Sequence, residues 1–291
     1  MPFPRAGIIG LSAVARTRAE HSRLKTVDTL SSMLHDLPVT KEEKLQIANQ
    51  PPAWMYEFDL GDGIKTPLLY EELRSVHWTR EQIIFPLIDR FFPKGLEGTY
   101  CLDVACNEGY FSHLLYHRGA TVKGIDIRET NIDRARSVQA IYRYESDRLL
   151  FEVEDLLSNR DPENKYDLTL FLGILYHLDN PMGALRLLHK ITKTLCVIET
   201  QLTRQNAPIV SGWGQTNVTL ELDAGLAIVR ETEMDKNNLA AFHTLSFVPN
   251  VPAVEQMLFV AGFSQVLKVA ARPEFNVQWA KNDRGVFFAL K

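Results

Sequence analysis

Three aspartates stand at the ends of three successive strand-like runs: Asp103 in "YCLDVA", Asp126 in "VKGIDI" and Asp155 in "LLFEVEDL". Asp126 follows Asp103 by 126 − 103 = 23 positions. A carboxylate at the end of a second strand accepts hydrogen bonds from ribose hydroxyls in nucleotide-binding sheets. One at the end of a third strand can accept from an adenine amino group, with Leu156 packing on the ring. A single strand-end aspartate reads equally well as the cap of the next helix. Three in this order favour a ligand that carries a ribose, an adenine and an ammonium.

The loop after the first strand narrows the ligand further. A dinucleotide fingerprint, G-x-G-x-x-G, would put three glycines there. This chain has Ala105, Asn107 and Gly109, so only Gly109 offers a bare backbone. A pyrophosphate needs several close main-chain contacts, and this loop suits it poorly. A ligand without phosphates, lying against the amides of the following helix, fits better.

These residues need a scaffold that lines up strand ends. Between residues 99 and 200 the β-like runs "YCLDVA", "ATVKGIDI", "LLFEVEDL", "YDLTLFLGIL" and "TLCVIETQL" alternate with helical segments "GYFSHLLYHRG", "NIDRARSVQAIYRY" and "NPMGALRLLHKI". That rhythm predicts a parallel sheet with helices on both faces. Before it, 11–37 and "TKEEKLQIANQ" read as helices, the second with Thr40 as N-cap. Gly61-Asp62-Gly63 separates two short strands, and "HWTREQIIFPLIDRFF" is a helix that Pro86 would kink or break. After it, about fifty polar residues read as irregular, followed by a helix over 252–261 and strands "FSQVLKVAAR" and "GVFFALK". The division expected is an N-terminal helical or cap extension, 1–98, and a catalytic domain, 99–291, with a substrate-cap insertion at about 201–250.

Composition excludes several classes. Of 291 residues, 45% are hydrophobic and 23% charged, with net charge −4. No basic field implies nucleic-acid binding. In "KEEK" and "RETNIDRAR" opposite charges interleave, as on solvated helix faces. Three cysteines at no zinc-like spacing suggest reduced thiols and a cytoplasmic protein, with no metal site. The opening "MPFPRAGIIGLSAVARTRAE" is too interrupted by Gly7, Gly10 and Ser12 for a secretory signal, and no run is long enough to span a membrane.

With these motifs in place, the chain resembles the class I S-adenosylmethionine-dependent methyltransferases. "LDVACNEGYFS" is similar to their first motif, Asp126 and Asp155 match the acids of the second and third, and "YDLTLFLGILYHLDNP" and "LCVIET" resemble the fourth and fifth. The resemblance implies a Rossmann-like seven-stranded sheet whose last strand is antiparallel, and S-adenosyl-L-methionine as cofactor. The implied cofactor set is Asp103, Ala105, Asn107, Gly109, Asp126, Ile127, Asp155, Leu156, Leu172, Tyr176 and Trp78. A narrower similarity, in "GILYHLDNPMGALRLL", "LSFVPNVPAVEQMLFVAGF" and "DRGVFFAL", is to the CmoB-like group, which includes a tRNA wobble-uridine carboxymethyltransferase using carboxy-S-adenosylmethionine. Tyr176 and Arg284 match two of that enzyme's carboxylate-binding residues. Its upstream lysines have no counterpart, since His77, Trp78 and Arg80 occupy the nearby segment.

Methyl transfer from a sulfonium needs a base only where the acceptor must lose a proton. The candidates are His177, Glu199 and His243, with His177 favoured because it follows the fourth strand at its ligand end. Trp213, like Trp78, reads as packing or as pocket lining. The expected acceptor is a small molecule. A tRNA acceptor and a catalytically silent cofactor-binding scaffold are the alternatives.

Overall fold

A computed structural model describes residues 39–161, 163, 165–204, 224–230 and 245–291. The chain divides into two units, Met1–Thr40 and Lys41–Lys291. The described residues from Lys41 onward belong to the second. The helix expected over 11–37 lies outside the described residues.

The second unit begins with helix α1 (Lys41–Ala48), the short antiparallel pair β1 (Asp59–Gly61) and β2 (Ile64–Lys65), and helix α2 (Leu73–Phe91). α2 continues through Pro86. Then come β3 (Tyr100–Val104), α3 (Tyr110–His117), β4 (Thr121–Asp126), α4 (Glu129–Tyr142), β5 (Leu149–Val153), β6 (Tyr166–Leu172), α5 (Pro181–Ile191) and β7 (Thr192–Gln201). The chain closes with β8 (Leu226–Arg230), β9 (Leu245–Pro249), α6 (Val251–Ala261), β10 (Gln265–Lys268), α7 (Val277–Ala280) and β11 (Arg284–Leu290).

Seven strands form one sheet in the order β10-β11-β7-β6-β3-β4-β5. β11 runs antiparallel to both its neighbours, and the pairs from β7 across to β5 are parallel. This is the Rossmann-like sheet the motifs imply. Strands covered on both faces carry near-continuous apolar runs. Alternate residues therefore enter two cores. Cys101, Val122, Leu168 and Val197 pack with Ile84, Ile88, Phe111 and Ala135 from α2, α3 and α4. Leu102, Ile125, Phe171 and Ile198 pack with Leu185, Leu188, Val254 and Leu258 from α5 and α6. Both of these last helices follow an asparagine cap and carry a proline in the first turn, Pro181 at the first position of α5 and Pro252 at the second of α6: Asn180 Oδ1 accepts from the Gly183 amide and Asn250 Oδ1 from the Ala253 amide.

Two differences from the sequence reading concern the last third. The stretch read as irregular contains the antiparallel pair β8–β9. "LAIVR" and "LSFVP" are too short to stand out among polar neighbours and are strands because they pair. Helix α7 was not expected; its cap is Asn276, whose side chain accepts from the Gln278 amide.

Candidate functional site

The strand order reverses between β3 and β6, where a ligand crevice is expected beyond the carboxyl ends. A cavity of about 560 Å³ lies there. Its floor is Val104 and Ala105 at the end of β3, Ile125 to Ile127 around the end of β4, Glu154 to Leu157 after β5, and Phe171 to Ile174 around the end of β6. α2 and the Met55–Tyr56 segment form another wall.

Asp126 is the most tightly held acid on this floor. Its Oδ2 accepts from the Asn107 amide at 3.0 Å and its Oδ1 from the Arg128 amide at 2.9 Å and the Asn131 side chain at 3.3 Å. Oδ2, with one donor, has a further acceptor site open. Burial pushes its pKa up, while the backbone donors pull the other way. Asp155 also lines the cavity, and it is a cap as well: Oδ1 accepts from the Leu157 amide at 3.0 Å, opening a 3₁₀ turn over Leu156–Ser158. This residue therefore both caps a turn and lines the cavity.

The loop after β3 holds a feature the sequence did not show. Ala105, Asn107 and Gly109 have φ of 54°, 52° and 79°. Three alternating residues are left-handed, although only one is glycine. Ala105 and Asn107 line the cavity, and the Asn107 side-chain oxygen is buried without a hydrogen-bond partner. A ligand ammonium would satisfy such an acceptor. Gly109 is placed differently. A Cβ there would lie 2.6 Å from the Phe151 ring, so this glycine is required by packing between strand and helix.

Asp103 does not line the cavity either. Strand alternation turns it to the α3 face, where its Oδ2 accepts from the Ser112 hydroxyl at 2.6 Å. Burial raises its pKa to about 7 against that hydrogen bond. Trp78 is also away from the cavity, on the outer side of α2, and is 46% exposed. The inward face of α2 is Leu73, Val76, His77 and Arg80, spaced as one helical stripe. Ile127, Leu156, Leu172 and Tyr176 are all brought to the cavity.

Of the three candidate bases, only His177 is seen at the cavity, in a 3₁₀ turn Leu175–His177 beyond β6. Glu199 is fully buried behind the wall. Its carboxylate accepts from Arg80 Nη2 at 3.1 Å and Arg284 Nη1 at 2.8 Å. Burial alone would raise its pKa, but the two guanidinium charges outweigh this and hold it below the ordinary value. So held, it is a poor base and a counterion to both arginines. His243 and Trp213 lie outside the described residues.

Sequence reasoning missed Glu108. It is buried in the β3–α3 loop and accepts from the Met55 and Tyr56 amides at 3.0 and 3.1 Å. Arg134 donates to it at 2.8 Å and also holds the Gln50 carbonyl at 2.9 Å. This ties the N-terminal wall to the ligand loop. An unpaired glutamate within a run of small residues was the available signal. For Arg80, the signal was a charge on a helix face otherwise made of Val76, Ile83 and Ile84.

A family model described as a methyltransferase domain matches residues 76–266. The chain belongs to this methyltransferase family. Among its relatives, the ubiquinone biosynthesis O-methyltransferase of Pseudomonas paraeruginosa is 29% identical over 132 residues, covering 43% of this chain and 56% of that protein. The tRNA U34 carboxymethyltransferase of Pseudomonas fluorescens is 30% identical over 176 residues, covering 59% of this chain and 47% of that protein. The chain thus spans about half the length of the relatives it matches. The N-terminal domain of EvdMO1, crystallised with SAH and D-fucose, has the same fold at a TM-score of 0.61 and 16% identity, over 86% of this chain and 95% of that one. Among the described residues, no group of His, Cys, Asp and Glu is arranged to hold a metal, and no helix is long and apolar enough to cross a membrane.

Proposed function

We propose that the cavity binds S-adenosylmethionine and that the enzyme transfers the methyl group to a small-molecule acceptor. The observation that carries this reading is the order of groups along the floor: Asp155 and Leu156 after β5, Asp126 at the end of β4, and the Asn107 loop after β3. Asp155 and Leu156 take the adenine, Asp126 the ribose hydroxyls, and Asn107 the ammonium. When bound, the sulfonium supplies an already electrophilic methyl group. The protein's task is then to hold an acceptor atom in line with it, an arrangement that can contribute ~7–11 kcal/mol. His177, at the cavity beyond β6, takes the acceptor's proton where one must leave, an effect of roughly 10²–10⁴-fold.

Calorimetry with S-adenosylhomocysteine tests the donor site. Micromolar binding is expected. Asp126→Ala should weaken it about 100-fold, the equivalent of two hydrogen bonds to a charged group at about 1.5 kcal/mol each. Tight binding of NAD with none of S-adenosylhomocysteine would overturn the reading.

One observation favours a second reading. The Arg284 guanidinium lies 5.8 Å from the Tyr176 ring centroid, and both residues line the cavity. They are the pair that matches the wobble-uridine enzyme. Submicromolar tRNA binding that weakens steeply with salt, with a carboxylated cofactor co-purifying, would move the assignment there.

A further inference from the structure

The wall formed by α2 and β11 has more positive charge than it has partners for. Arg80 and Arg284 both line the cavity and are each only 8% exposed. Among the described residues the one carboxylate paired with either is Glu199, which both share. Arg80 Nε is buried and has no hydrogen-bond partner. One turn earlier on the same helix face, His77 Nε2 is also buried and unpartnered. Neighbouring groups do not supply the missing charge. Tyr56 stacks on His77 at 4.1 Å and its hydroxyl oxygen accepts from Arg80 Nη1, and burial raises its pKa, so it stays a neutral phenol. Gln278 accepts from Arg284 Nε. Gly173 leaves the room this arrangement uses, because a Cβ there would come 2.9 Å from Arg80 Nη2.

We propose that this wall binds an anionic group on the methyl acceptor, a carboxylate or a phosphate, with Arg80 supplying charge and His77 a hydrogen bond. The proposal rests on the methyl-transfer reading and assigns the substrate class for it. Burial and the two neighbouring guanidiniums push the His77 pKa down to about 2, so the ring is neutral and suited to donate a hydrogen bond rather than to take a proton. The site also lies away from the adenosyl end. Arg80 meets the chain at Gly173, directly after β6, and three strand steps separate β6 from β5 in the sheet, roughly 14 Å at about 4.8 Å per step. A donor seated by Asp155 and Asp126 leaves this end to a second ligand.

The test titrates benzoate, inorganic phosphate and neutral benzamide into the protein saturated with S-adenosylhomocysteine. Benzoate or phosphate is expected to bind at least tenfold more tightly than benzamide, and Arg80→Gln to remove that preference. Arg80→Gln also strips Glu199 of one partner, so His77→Phe, which leaves the ion cluster whole, serves as the second variant and should weaken benzoate several-fold. Equal binding of benzoate and benzamide overturns the proposal. So does binding of benzoate to the free protein but not to the saturated one, together with Arg80→Gln weakening S-adenosylhomocysteine and sparing methylthioadenosine; the donor's own carboxylate would then fill the site. If S-adenosylhomocysteine does not bind at all, the methyl-transfer reading falls, and the same benzoate and benzamide titration of the free protein decides the anion site by itself.

Discussion

The two ends of the cavity are built in opposite ways. At the adenosyl end, the polar groups belong to strand ends and the short loops that follow them, and their partners lie within nineteen positions, as Asp126 is held by Arg128, Asn131 and Asn107. At the acceptor end, the polar groups are held by partners far off in the chain. Arg80 meets Glu199 across 119 positions and Arg284 meets it across 85. Thr79 on α2 receives the Asn276 amide across 197. The first end is a property of a loop and can be reused wherever the loop occurs. The second exists only when α2, β7 and β11 have all come together, so whatever it binds depends on the completed fold.

Breaking the second end should therefore cost more stability than breaking the first. Glu199→Ala leaves two buried guanidiniums without their counterion. Removing one partner of a buried pair costs about 3–5 kcal/mol. Denaturant unfolding should show a loss of this size, while Asp126→Ala, which strands the Asn107 and Arg128 amides, should lose cofactor affinity with a smaller stability cost of about 1–3 kcal/mol. If Glu199→Ala were as stable as wild type, the acceptor wall would not be an integrated ion cluster.

The same contrast explains what the sequence could show. The β–α rhythm and the acids at strand ends are local, and they give the parallel sheet with its covering helices and the positions of Asp126 and Asp155. Asp103 and Glu199 sit in equally good motifs, yet both face the α2–α3 core instead of the cavity. Which side of a strand end a carboxylate takes depends on a one-residue alternation that motif spacing does not resolve. Trp78 misses the cavity for the helical version of this reason: it is one residue, about 100°, from His77. The roles of Arg80, His77 and Glu108 depend on partners more than twenty positions away and were not legible.

Asp103 sharpens the comparison through pH. Its ordinary value is 3.8 and its folded value about 7. Between these the folded chain holds a proton that the unfolded chain has released, so stability falls as pH rises. The contribution is complete below about pH 4 and is lost as pH passes about 7, a change on the order of 2–4 kcal/mol. Asp103→Asn keeps an acceptor for Ser112 and removes the titration. The difference between wild-type and variant unfolding curves should slope through this window. Asp126 and Glu108, whose pKa values are also raised by burial, leave a residual slope of the same sign in both. A flat difference curve would mean that Asp103 is ionised and solvated, as a ligand-facing acid would be.

The smallest effect belongs to the loop itself. Ala105 carries a side chain at φ 54°, where an L-residue pays roughly 1–2 kcal/mol relative to the right-handed region. Ala105→Gly relieves that strain and adds about 0.5–1 kcal/mol of backbone entropy to the unfolded chain, so the net gain expected is between about 0 and 1.5 kcal/mol. Binding of S-adenosylhomocysteine should change by less than about twofold, because the ligand meets the same backbone whether glycine or alanine supplies the turn. A stability loss in Ala105→Gly would show that the Ala105 methyl packs against something worth more than its strain. A large loss of affinity with stability unchanged would show that the methyl touches the ligand, and the adenosyl end would then depend on side chains as the acceptor end does.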